Sequence, residues 1–360
     1  MDSLIGVEVQ QTLERRYDVT LSMAEIRKLT VNRLVAIQEG TGNTTSEAGN
    51  AARTGRRNAA DPAFESKMPR LKLAEKLFPD RVLVEMNDLD GSTPLFMVHP
   101  VQGDVSVLFE IAAHIPVRTV GVQRTDEIPV RSIEEMAAIY LQRMLQVQPA
   151  GPYHLAGYSY GAAVVFEAAV QLQASGASVG SLTLLDGGPR YVAALWSHHK
   201  SRLEGSEHDA ETSLICTFLM QYADIDVLEV RHQLNQCPSW DAKTEVATDI
   251  LFGTIPDVHL SRRDVATAMR AFYDLLSVGS NYQPNTKFCG DVVLIKASRP
   301  REMAKQLPPD YGLSEFVHGT VEVNVVDGSH EQFILGQGAR QCAAIIARQV
   351  LHCKAIALRQ

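Results

Sequence analysis

Ala156-Gly157-Tyr158-Ser159-Tyr160-Gly161 decides how this chain is read. It lies between an apolar segment of strand length, Pro152 to Ala156, and a helix-like one, Ala162 to Gln173. A serine between two glycines at such a junction sits on a sharp strand-to-helix turn that lifts its hydroxyl clear of the backbone, where a nucleophile is needed. The first expectation is serine acyl-transfer chemistry. A bare G-x-S-x-G arises by chance in about one chain in ten of this length, so its surroundings must carry the reading.

Outward from the motif, apolar runs of strand length recur at 82–86, 94–98, 117–122, 153–156, 181–185, 291–297 and 320–326. Helix-like segments such as 132–145 and 162–173 separate most of them. This alternation predicts a mostly parallel sheet covered on both faces. The first two runs are expected to pair antiparallel through Asp90-Gly91. Residues 186–291 form a gap far longer than a crossover needs and contain amphipathic stretches at 213–222 and 264–276. They predict a helical cap, about 190–286, inserted over the active-site end of the sheet.

Chemistry in such sheets collects at the carboxyl ends of strands, so partners of Ser159 should directly follow apolar runs, in the order acid then histidine. Asp186 ends the run 181–185 and is the preferred acid; Asp327 is a rival because it too ends a strand, close to His330. Of the eight histidines after Asp186, His330 alone follows a strand, through Asp327-Gly328-Ser329. His318 precedes the last strand and His352 lies deep in the final helical pattern. Taken singly, each residue has an ordinary reading: a turn serine, a helix-capping aspartate, a surface histidine. Agreement in order and strand-end position makes Ser159, Asp186 and His330 a candidate catalytic set. His99-Pro100-Val101-Gln102-Gly103 follows an early strand, and the backbone N–H groups of Val101 and Tyr160 are the expected oxyanion hole. His99 is read as fixing that loop rather than as a base.

The 360 residues allow one large domain and a small extra module. With 34 basic against 42 acidic residues, the chain has no electrostatic footprint for nucleic acid or an anionic membrane. Five cysteines without C-x-x-C spacing point to neither disulfide framework nor metal site, and no membrane span or signal peptide is read, so a cytoplasmic location is expected. Residues 1–38 read as two helices, the second opened by the capping box Ser22-Met23-Ala24-Glu25. Residues 39–70 read as a flexible linker, and 71–360 as the main domain.

Leu95-Phe96-Met97-Val98-His99-Pro100, Gly157-Tyr158-Ser159-Tyr160-Gly161, Leu185-Asp186-Gly187 and Gly328-Ser329-His330 together resemble the thioesterase domain of animal type I fatty acid synthases. The start, Asp2-Ser3-Leu4-Ile5-Gly6-Val7-Glu8-Val9, resembles the Asp-Ser-Leu motif of the acyl carrier domain that precedes it. The first carrier helix is absent, so the resemblance implies a truncated carrier at 1–38. It implies an α/β-hydrolase fold with a cap insertion, and hydrolysis of long-chain fatty acyl thioesters by Ser159, Asp186 and His330. No cofactor is implied for the thioesterase itself; 4′-phosphopantetheine would attach at Ser3 of the carrier. The implied partners are that acyl carrier domain and the remainder of a dimeric synthase. Vertebrate relatives carry opposite charges at the positions of Gln102 and Glu331, so an ion pair at the groove edge is not expected here. A polyketide-type synthase thioesterase, an ordinary esterase and a catalytically silent acyl-binding scaffold remain alternatives.

Overall fold

Each of the seven apolar runs forms a strand of one sheet in the computed structural model, which describes residues 77–201, 207–255 and 260–357. Ser3, the two helices expected in 1–38 and the linker at 39–70 lie outside the described residues. So does the whole of the unit Met1–Phe64, and the description below concerns the other unit, which starts at Glu65.

In chain order the elements begin with β1 (Leu83–Glu85), β2 (Leu95–Val98), α1 (Phe109–Ala112), β3 (Thr119–Val122) and α2 (Ile133–Val147). Next come β4 (Tyr153–Tyr158), α3 (Tyr160–Ala174) and β5 (Val179–Leu185). Helices α4 (Pro189–Ser201), α5 (Glu207–Tyr222), α6 (Val227–Asn235), α7 (Trp240–Thr254) and α8 (Arg262–Ser280) fill the long gap. The chain then returns to the sheet through β6 (Val292–Arg299) and β7 (Val321–Ser329), and α9 (Gly336–Ala357) follows.

The sheet order is β1-β3-β2-β4-β5-β6-β7, with every pair parallel except β1 with β3. The antiparallel partner of β1 is therefore β3, not β2 as the Asp90-Gly91 turn predicts. Both edges of β2 are taken, by β3 and by β4, so the short first strand finds its only open edge one place further out. A second difference concerns β7, which runs through the expected turn as far as Ser329 and pairs there with Arg299 across an irregularity in register. The extra strand length carries His330 beyond the sheet edge.

Side chains alternate between two cores because strand neighbours point to opposite faces. Phe96 and Val98 of β2 join Leu155 and the helices α2, α3 and the inserted set, while Leu95 and Met97 pack with Ile111 of α1 and Ile346 of α9. Strands β2 and β4 are buried at every position, as parallel strands covered on both faces must be. Helix α3 is apolar almost all round, with Val164, Val165, Phe166 and Ala169 among its buried residues. A helix of that composition is stable only when enclosed, and here the sheet lies on one side and α4 and α8 on the other.

The chain passes from β2 to β3 on one side and returns across β2 to β4, so strand order reverses between β2 and β4. Crevices form outside the carboxyl ends of strands at such a point. Among the described residues no helix is long and apolar enough to cross a membrane.

Candidate active site

Ser159 stands between β4 and α3 with φ 57° and ψ −116°. A side chain rarely adopts this left-handed backbone, and holding it costs about 1–3 kcal/mol. The flanking glycines let the turn close so tightly. A Cβ on Gly157 would come within 2.3 Å of the Gly161 carbonyl oxygen, and one on Gly161 within 2.3 Å of the His99 carbonyl oxygen. The Ser159 N–H donates to the Leu185 carbonyl at 2.8 Å, pinning the turn to the end of β5. Although Ser159 occupies the N-cap position of α3, its hydroxyl does not cap the helix. It faces His330 instead.

The Oγ of Ser159 lies 3.0 Å from Nε2 of His330, and Nδ1 of His330 lies 2.6 Å from Oδ2 of Asp186. A carboxylate oxygen only accepts, so Nδ1 carries the ring proton and Nε2 of the neutral ring presents its lone pair to the serine hydroxyl. All three residues are buried, Asp186 completely. The second oxygen of Asp186 accepts the Tyr311 hydroxyl at 2.6 Å and the Ala297 N–H at 3.3 Å. Burial pushes the Asp186 carboxyl up, but the bonds and charge from His330, with Tyr311 and Ala297, outweigh it and hold the group below the ordinary carboxylate range. Asp186 therefore stays ionised beside the imidazole.

Asp327 ends up elsewhere: its carboxylate is exposed and accepts the Ser298 hydroxyl at 2.7 Å. His318 donates its N–H to the Phe288 carbonyl at the amino end of β7, and His352 is exposed on α9. The structure thus brings Asp186 and His330, and none of these three competitors, to Ser159.

Val101 lies in a turn closed by the Gly103 N–H donating to the Pro100 carbonyl at 3.0 Å, which leaves the Val101 N–H outside the turn bond. The close approach of Gly161 to His99 sets this turn beside the first turn of α3. Tyr160 opens α3, so its N–H is among the four at a helix start without an intrahelical acceptor. His99 is fully buried, with Nδ1 2.5 Å from the Pro100 carbonyl and Nε2 2.6 Å from the Tyr140 hydroxyl. Burial drives its pKa down to about 4, so the neutral ring donates through Nδ1 and accepts from Tyr140. Both nitrogens are committed to fixing the loop.

Further groups surround the histidine, some of them without a signature in the sequence. Tyr158 and Tyr191 both stack on the His330 ring, with centroids at 5.1 Å and 5.6 Å, and the Tyr158 hydroxyl donates to the His330 carbonyl at 2.7 Å. Glu331 pairs with Arg301 at 2.5 Å; burial pushes its carboxyl up, but Arg301 and His330 bring it down to about 2. Gln102 donates its amide to Gln221 of α5 at 2.7 Å, so neutral groups join the two sides of the cleft there. Tyr158 belongs to the serine motif, and its spacing alone could have drawn attention. Tyr311 and Arg301 stand more than a hundred residues from Asp186, with no local pattern to announce them.

Residues 93–349 match the protein family described as "Thioesterase domain". Over 101 residues the chain is 45% identical to microperfuranone synthase of Emericella nidulans, covering 27% of this chain and 11% of that one. Over 193 residues it is 28% identical to the polyketide synthase PksR of Bacillus subtilis, covering 52% and 6% respectively. Among solved structures, holo-AB3403, a four domain nonribosomal peptide synthetase bound to AMP and glycine, aligns with a TM-score of 0.61 at 19% identity. That alignment covers 96% of this chain and 23% of that one and speaks for the fold alone. The chain spans about a tenth or less of the length of the two sequence relatives. The sequence similarity runs to a polyketide synthase and a nonribosomal peptide synthase, so the narrower likeness to an animal fatty acid synthase gives way to this wider one.

Proposed function

We propose, from the premise that the chain belongs to the thioesterase domain family, that it releases an acyl chain delivered as a thioester by a carrier domain of a polyketide- or nonribosomal-peptide-type assembly. The observation that carries the chemistry is the unbroken hydrogen-bonded series Ser159–His330–Asp186 at the carboxyl edge of the sheet. His330 Nε2 takes the hydroxyl proton as Ser159 Oγ bonds to the thioester carbon. The carbonyl oxygen becomes an oxyanion held by the Val101 and Tyr160 N–H groups, each contributing about 3 kcal/mol. The carbon–sulfur bond breaks, and the proton on His330 passes to the departing sulfur. Asp186 keeps the imidazole in the required tautomer and stabilises its charged form.

An acyl-Ser159 ester remains. Water attacks it with His330 as base, the acid is released and the hydroxyl regains its proton; a nucleophile within the acyl chain would give a ring instead. The thiol arrives on 4′-phosphopantetheine, for which Ser3 is our candidate attachment point on the carrier. A second reading, a long fatty acyl chain, draws support from the aromatic and aliphatic wall that Phe218, Phe272 and Leu275 present beside Val101. Each methylene buried there adds about 0.8 kcal/mol, so such a site would grade its substrates by length.

The test is covalent labelling. A fluorophosphonate probe and an isotopically labelled acyl-phosphopantetheine should both mark the native chain and leave Ser159→Ala unmarked. Label persisting on that variant overturns the assignment. Mass spectrometry of the released product then separates a linear polyketide or peptide acid, a ring and a plain fatty acid.

A further inference from the structure

Arg124 is a buried cation that makes no direct ion pair among the described residues. It is 9% exposed, its Nε–H has no hydrogen-bond partner, and no carboxylate among the described residues forms an ion pair with it. Its guanidinium carbon lies 5.6 Å from the Phe78 ring centroid, and Asp274 and Asp126 act on it only from a distance. The Tyr160 hydroxyl, near enough to feel the charge of Arg124, is likewise buried and unpartnered. Removing a cation from water is costly unless an anion meets it, so a fold that keeps one in this state is poised for an anionic ligand.

Arg124 lines a cavity of about 340 Å³ between the sheet and the inserted helices, together with Val101, Gln102, Phe218 and Phe272. Its own N–H donates to the Gly103 carbonyl at 2.7 Å, fixing it to the turn that holds Val101. The cavity therefore flanks the expected oxyanion hole without containing Ser159. Gln102 Oε1 on the same wall is a buried acceptor without a donor among the described residues. Two carboxylates also reach the lining: Asp104 is committed to the Ser106 N–H at 2.8 Å, and Asp80 is exposed.

We propose that this cavity is a substrate subsite for an oxyanion, in which the Arg124 guanidinium receives a phosphate or carboxylate and Gln102 Oε1 accepts an N–H from the same ligand. It rests on the thioesterase reading above and specifies the substrate class. The planar fork of arginine binds either anion through paired N–H groups. Two sources supply that chemistry: the phosphodiester of the pantetheine arm, whose amides also carry N–H groups, or a carboxylate on the acyl chain.

The whole 360-residue chain carrying Ser159→Ala, with Arg124 intact or changed to Gln, would be titrated with four thioesters of equal acyl length. These carry a phosphate on the pantetheine, a carboxylate on the acyl end, both, or neither. The expected result is a preference for anion-bearing over anion-free thioesters that falls at least tenfold on Arg124→Gln. A loss that follows the phosphate identifies the arm as the source, and one that follows the carboxylate identifies the chain. Absence of any preference in the Arg124 protein, or a preference unchanged by the substitution, overturns the proposal. Should Arg124→Gln fail to fold, Arg124→Lys keeps the charge without the fork, and the same fall in preference is expected. Binding is read without turnover, so anion-selective binding in a native chain that hydrolyses nothing would sink the Ser159 mechanism and leave this subsite standing.

Discussion

Three donors converge on the Asp186 carboxylate, from His330, Tyr311 and Ala297, and their combined effect outweighs full burial. Such a group orients the imidazole and holds its Nδ1 proton in one step. Asn in its place offers the same shape, but its amide can donate to Nδ1 and so favours the wrong tautomer. The expected outcome for Asp186→Asn is a fall of about 10³–10⁴-fold in the rate of fluorophosphonate labelling at neutral pH, with the Ser159 adduct still the product. A rate within tenfold of the native chain would show that the tautomer is held by something else. Among the described residues the non-glycine positions with positive φ are Ser159 (57°), Asp186 (42°) and Tyr311 (56°), so the strain falls on two residues proposed to act and on the tyrosine that donates to Asp186.

The strand–turn–helix of β4 and α3 is set by close backbone approaches that only glycine allows. At Gly161 a Cβ would fall 2.3 Å from the His99 carbonyl oxygen and 2.6 Å from that of Val98. Both are backbone atoms of the end of β2 and cannot swing aside. Gly161→Ala should therefore push the start of α3 off β2, at a cost of about 3 kcal/mol, or roughly 5 °C in Tm for a domain of this size. Because the Tyr160 N–H moves with the helix, acylation should fall as well. Gly253 on α7 is the control: a Cβ there meets nothing within 4 Å, and Gly253→Ala should leave Tm unchanged or slightly raised. Calorimetry on the two variants distinguishes a packing constraint from a general intolerance of alanine.

Across the whole domain, polar links over an apolar contact join the inserted helices to the loops and helix that flank the sheet. Gln102 meets Gln221, Arg190 meets Glu315 at 2.6 Å, and Tyr282, just beyond α8, donates to Glu167 on α3 at 2.7 Å. The last is the most consequential because Glu167 is buried, and burial drives its carboxyl up against the opposing bonds from Gln171 and Tyr282. Loss of the Tyr282 hydroxyl leaves one oxygen of that carboxylate without its donor. Tyr282→Phe should destabilise the fold by about 1–2 kcal/mol, seen as a lower Tm, while the labelling rate of Ser159 changes little. A fall in labelling as large as that of Asp186→Asn would instead mean that the α8 end governs the surroundings of Ser159 directly.

Seven strands, the parallel α/β class and the long helical insertion were legible in the sequence. Each rests on local composition: strand-length apolar runs, helical periodicity, and a gap too long for a crossover. The strand-end positions of Ser159, Asp186 and His330 were legible for the same reason, since each is anchored there by a few neighbouring residues. Tertiary structure alone decided that β1 pairs with β3, because an edge becomes available only after β2 has been enclosed. Only the fold brought Tyr311 to Asp186, and it alone left Arg124 buried beside a cavity without a direct ion pair to any carboxylate among the described residues. Partners distant along the chain are chosen by packing in three dimensions, and a linear pattern of apolar and polar residues carries no record of that choice.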